Sequence, residues 1–248
     1  MMNSRGPAPT LRYSFALSLS PDPFTVGFLD DLKRQADALK AQQTGDSASL
    51  ARNTALTEGA CKTVFSYFNT LAPQLSVLRP ASHARFTLDR QHVFEAVPLS
   101  EFRVDSRRKP LRNDEVHDFL VLHWQLKTGR QLQLMKDFLP DIDKLESKLR
   151  QSGAQVDNEA VRNPDNGKLQ GRRYTFVADF VGSVRVTPQH ESGRVHFQLQ
   201  NLDGFESISM ELPAIEIGSA RLDELARWVA GHPHSFLKDA ENLRRTEA

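Results

Sequence analysis

The stretch His117-Asp-Phe-Leu-Val-Leu-His-Trp-Gln-Leu-Lys127 decides how this chain folds. Leu120, Leu122, Trp124 and Leu126 fall on every second residue. Side chains alternate between faces along a strand but recur every 3.6 residues on a helix, so this pattern reads as a strand with one buried side. Thr128-Gly129-Arg130 follows as a tight turn, and Leu132 and Leu134 read as the returning partner strand.

Upstream, Phe86 and Leu88 alternate, as do Val93, Glu95 and Val97 against Phe94 and Ala96, and Pro98 marks an edge or a bulge. Before Arg85 the period is helical. Phe28, Leu29, Leu32, Ala36 and Leu39 predict an amphipathic helix over Thr25–Gln43, opened by Pro21-Asp22-Pro23. Thr44-Gly45-Asp46-Ser47 reads as a break, because glycine suits the left-handed residue that ends a helix. A second helix then runs to Leu78, with Leu50, Leu56, Cys61, Val64, Phe65, Phe68, Leu71 and Leu75 on its stripe. Pro73 is expected to kink it or end its regular part. The simplest outcome is an antiparallel helical hairpin.

Downstream, Ile142, Leu145 and Leu149 predict a helix over 140–151, stopped by Gly153. Residues 157–171 are rich in turn formers and read as an exposed loop or loose hairpin. Strand patterns return at Tyr174–Phe180, at Val184 and Val186, at Val195–Leu199 and at Ile208–Leu212. A last helix is expected over 219–230, and the polar tail from Asp239 is expected to fray.

The fold class is therefore α+β: a helical hairpin followed by a mainly antiparallel sheet region with two short helices. The divisions are an N-terminal arm over 1–23, the hairpin over 24–80 and a sheet domain over 81–248. Both short helices follow a Leu-Pro-x-Ile, Leu139 to Ile142 and Leu212 to Ile215. That invites a duplicated meander-plus-helix unit, 85–152 and 172–231, whose halves would share strand order.

The 32 basic and 31 acidic residues leave a formal charge of +1. That excludes the electrostatic footprint of a dedicated nucleic-acid binder and a broad field for anionic membranes. The single cysteine, Cys61, excludes an intramolecular disulfide framework, and on the helix stripe it reads as a buried structural residue. Arg12, Ser14 and Ser18 interrupt the apolar residues near the start, unlike a secretory signal. No segment approaches the ~18 apolar residues of a membrane span. The expected location is the cytoplasm.

The most unusual local feature is basic: Arg103, Arg107, Arg108, Lys109 and Arg112, read as a loop and a candidate anion- or partner-binding site. No cofactor is expected, since the glycine-rich phosphate loops are absent. No metal site is read either: His117 and His123 lie about 20 Å apart on an extended strand, and the pairs His190/His196 and His232/His234 lack a zinc-like spacing. No catalytic residue is assigned. The expected function is that of a non-catalytic binding or scaffolding protein acting through protein–protein contacts, including pairing of the hairpin into a homodimer. An alternative is a small-molecule, lipid-head-group or anion binder with the basic segment at the mouth of a sheet pocket. That pocket exists only if Trp124, Phe176 and Phe197 leave the sheet face open. A second alternative is an enzyme without a short linear motif.

Overall fold

The computed structural model describes residues 28–112 and 114–248. The arm expected over 1–23 and the start of the first helix lie outside the described residues. The chain divides into two units, one ending at Gly45 and the other spanning Asp46–Ala248. In the first unit the described residues belong to helix α1 (Phe28–Leu78), and Leu29, Leu32 and Leu39 are exposed.

The expected hairpin is corrected by this helix. α1 runs as one 51-residue helix through Thr44–Ser47 and through Pro73. Glycine inside a helix costs only about 1 kcal/mol relative to alanine, so a lone Gly45 does not force a turn.

In the second unit α1 presents Ala60, Cys61, Val64, Phe68, Ala72 and Leu75 as a buried stripe. After it come β1 (Phe86–Thr87), β2 (Val93–Phe94), β3 (Leu99–Leu111), β4 (Asp114–Leu126), β5 (Gln131–Lys136) and α2 (Leu139–Ser152). The chain continues through β6 (Val156–Arg162), β7 (Leu169–Val177), β8 (Phe180–Gln189), β9 (Arg194–Gln200), β10 (Glu206–Pro213), α3 (Ser219–Val229) and β11 (Glu241–Glu247).

Six strands form the main sheet in the order β11-β10-β9-β8-β4-β3, with every neighbouring pair antiparallel. The alternation read at His117–Lys127 is realised: Leu120, Leu122, Trp124 and Leu126 are buried while Val121, His123 and Gln125 are half-buried. Strands β8, β9 and β10 repeat that alternation. One sheet face thus packs into a core shared with α1 and α3, and the other meets water, as antiparallel sheets allow. Phe86, Phe94 and Phe205 gather around Phe180 with ring centroids 5.7, 5.5 and 5.0 Å from it.

β5 does not return against β4 as the tight turn suggested. It pairs with β7 in a separate three-stranded sheet, β5-β7-β6, while β4 takes β3 and β8 as partners. The excursion between β4 and β8 is tied at its base. Asp179 accepts from the amides of Thr128 and Gly129, and the Thr128 hydroxyl donates to the Ala178 carbonyl. Residues 157–171 are largely strand, forming the β6–β7 hairpin.

The expected shared strand order of a duplication is absent. β5 leaves the main sheet, whereas β8, β9 and β10 stay neighbours. Leu139-Pro140 opens α2, but Leu212 and Pro213 end β10. The polar tail is strand β11, paired along β10 rather than fraying.

Candidate functional site

Among the described residues, a cavity beside two tryptophans and a cluster between a helix and a strand each gather chemistry-bearing side chains, and both belong to the second unit. The first is a cavity of about 270 Å³ over one end of the main sheet. Its walls include His83, Trp124, Asn201, Asp203, Trp228, His232 and His234.

Sheet register builds its floor. Trp124 on β4 faces Gly182 on β8, and Asn201 follows Gln200, which pairs with Ser183. A Cβ at Gly182 would stand 2.4 Å from the indole nitrogen of Trp124, so only glycine lets the ring lie across that strand. Asn201 holds a left-handed φ of 54°, a conformation asparagine tolerates better than most residues. Its amide donates to the carbonyls of Val181 and Gln151. Trp124 Nε1 and Asn201 Oδ1 are both buried and make no hydrogen bond among the described residues. An unmet buried polar group costs about 1–3 kcal/mol, so this row holds a donor and an acceptor in need of partners.

The chain after α3 builds the wall. Gly231, at φ 77°, lets the ring of His83 rest on its backbone, since a Cβ there would fall 1.9 Å from His83 Cδ2. Trp228 stacks on His234 with centroids 4.3 Å apart and planes 12° from parallel. Its indole N–H donates to Asp203 Oδ1 at 2.7 Å. Desolvation pushes the His234 imidazole below the usual histidine range, outweighing the upward pull of Asp203 and Glu224. That ring is therefore neutral near pH 7, able to donate from one nitrogen and accept at the other.

The second place lies between α1 and β4. Glu58 accepts from the His117 backbone N–H at 2.7 Å, and its other oxygen lies 2.8 Å from His117 Nδ1. Cys61 is one helical turn further on, and a ligand atom from each of the three lies within 4.8 Å of the others. Burial, with Glu58 beside it, pushes the Cys61 thiol up to about 12, so it is protonated and not a ready nucleophile. His190 braces the cluster: its Nδ1 is 2.7 Å from the Thr57 hydroxyl and its Nε2 is 3.2 Å from the His117 carbonyl oxygen.

The basic segment is not a loop. Arg103, Arg107, Arg108 and Lys109 lie on β3, an edge strand of the main sheet, and Arg112 follows it. Lys109 and Arg107 face Asp118 at 3.1 and 3.8 Å. Arg108 donates to the Glu115 carbonyl and Arg112 to the Ser47 hydroxyl. Arg103 stands opposite His123 in register. A 13-residue strand spreads these charges over tens of ångströms rather than around one point, and lysine and arginine along an edge discourage pairing with foreign strands. Of the three side chains named for the sheet face, Trp124 and Phe197 are buried in the main sheet and Phe176 is buried on β7 of the smaller sheet.

Of the histidine pairs, His117 and His123 stay apart on β4, and His190 turns to α1 rather than to His196. His232 and His234 do share the first cavity. Sequence reasoning placed Trp124 on a buried strand face and missed that it meets Trp228 at one cavity. It also missed Glu58 as the partner of His117, because the two are 59 residues apart.

No protein-family model, curated protein or solved structure matches this chain. Among the described residues no helix is long and apolar enough to cross a membrane.

Proposed function

We propose that this chain is a binding protein that takes up a small, neutral, polar molecule at the Trp124–Trp228 cavity. The observation that carries the reading is the convergence of histidines and a carboxylate around two tryptophans, beside a buried donor and a buried acceptor without partners. Concave sites with aromatic walls and a few placed polar groups are the usual form of small-molecule sites. A carboxamide or a heteroaromatic ring fits such walls, because it offers an acceptor and a donor side by side on a flat body.

The chain contains only two tryptophans, and both line this cavity. Emission excited selectively at tryptophan, apart from that of the three tyrosines, therefore reports the site. Titration with benzamide and with uracil is expected to give a saturable change in emission for at least one of them. Trp228→Leu, which removes the stack on His234, is expected to weaken that response by about tenfold, equivalent to ~1.4 kcal/mol. Linear, non-saturating quenching by both probes in the folded protein would reject the site.

A second reading, association through protein contacts, rests on the exposed Leu29, Leu32 and Leu39 of α1. They recur at the spacing of a helix–helix seam. Light scattering is expected to show a dimer at high protein concentration, and a strict monomer removes the reading.

A further inference from the structure

We propose that Glu58, Cys61 and His117 form a site for a borderline-soft divalent cation of the zinc type. The donor set is a carboxylate oxygen, a thiol sulfur and an imidazole nitrogen, the three ligand types that Zn²⁺ takes in proteins. Glu58 and Cys61 stand three apart on α1, so both project from the same helix face. His117 comes to them from β4, and the described residues contain no other such group of three.

All separations lie within 4.8 Å, and that between Glu58 and His117 Nδ1, at 2.8 Å, is already shorter than an edge of a tetrahedron built on bonds of about 2.0 and 2.3 Å. Taking up an ion would part that hydrogen-bonded pair slightly so that each can bond the metal. The support for those side chains is already built. The His117 amide fixes one oxygen of Glu58, leaving the other for the ion, and His190 holds the backbone of His117 through its carbonyl. Partners of this kind orient ligands and raise affinity in known metal centres.

There is also a way in. A cavity of about 380 Å³ reaches Glu58 between Lys62, Arg108 and Val116, so the cluster is approached from the Glu58 side.

The charges balance on binding. The S–H bond of Cys61 breaks as the metal–sulfur bond forms. His117 would bind as a neutral imidazole, and the proton released by Cys61 goes to solvent. The cation is then neutralised by one thiolate and one carboxylate in a largely buried place, where an uncompensated charge would be costly.

The test is a cobalt titration of the whole protein. Co²⁺ bound by a thiolate gives a sulfur-to-metal charge-transfer absorption in the near ultraviolet, and Cys61 is the only cysteine, so any such band comes from this site. The expected result is one equivalent of Co²⁺ bound with that band, which added Zn²⁺ abolishes. Cys61→Ser is expected to remove the band, and Glu58→Gln to keep it while weakening affinity about 10–100-fold. A folded wild-type protein showing no charge-transfer band at saturating Co²⁺ overturns the proposal. So does a band that survives in Cys61→Ser. If the variants fail to fold, the wild-type titration alone decides.

Discussion

Replacement of Gly182 by alanine is expected to cost about 2–3 kcal/mol, a large loss for a single methyl group, on the buried face of β8. The physical reason is overpacking. The new Cβ would stand 2.4 Å from Trp124 Cε2 and Nε1 and 2.6 Å from Cζ2, far inside contact distance. The indole is buried and stacks on Phe102 with centroids 5.7 Å apart, so a shift away from the strand would break that stack. Denaturant unfolding should show a lower midpoint with an unchanged slope, the mark of lost stability without a change in exposed surface. The decisive comparison is the double variant with Trp124→Leu. If the clash is the cause, the two losses should fall short of additive by about 1–3 kcal/mol. Additive losses would mean that Gly182 is needed for some reason other than the ring.

Phe180→Ala is the second large effect, expected at about 3–5 kcal/mol. Phe180 is completely buried and is the common neighbour of Phe86, Phe94 and Phe205. Truncation removes its own transfer energy, leaves a void among three rings that cannot all close in, and ends three edge-on or tilted aromatic contacts. For a chain of this size the melting temperature should fall by about 10–15 °C. Phe119→Ala is the control: that ring is half-buried on the solvent face under Arg185, whose guanidinium carbon lies 3.7 Å from its centroid. It should cost about 1 kcal/mol. Equal losses at the two positions would show that the four-ring cluster is not the centre of the core.

Where the fold was legible in the sequence, the signal was local and repeated. Leu120, Leu122, Trp124 and Leu126 announce a half-buried strand without help from the rest of the chain. Ile142, Leu145 and Leu149, closed by Gly153 in a left-handed conformation, announce α2 to within a residue. The failures share one cause, which is that pairing is not local. Arg103–Arg112 looks like a charged loop because nothing in those residues says that Val116–Leu126 will supply a ladder of hydrogen bonds. Glu241–Glu247 looks like a fraying tail for the same reason, until Ser207 and Ile208 pair with Thr246 and Arg245. Gly45 erred in the other direction: a turn signal outvoted by the helix on both sides of it.

The candidate sites were less legible than the fold. His232-Pro-His234 was visible as a pair, but Trp124 and Asn201 join it only through a register of three strands. Cys61 and His117 were each noticed and each set aside, because a residue's neighbours in space cannot be read from its neighbours in sequence.

The knot at Thr128, Ala178 and Asp179 bears on how this protein can change over generations. The segment it ties off leaves the main sheet and comes back at one point, carrying its own strands, its own helix and its own hydrogen bonds. Residues can be gained or lost at the far turn, Asn163–Lys168, at a chain-closure cost that grows only logarithmically, about 0.6 kcal/mol for each doubling of length. The ladder between β4 and β8 would not register the change. That turn is where a graft, a tag or a lineage-specific extension is accommodated, while the rows that place Trp124 beside Asn201 keep their spacing.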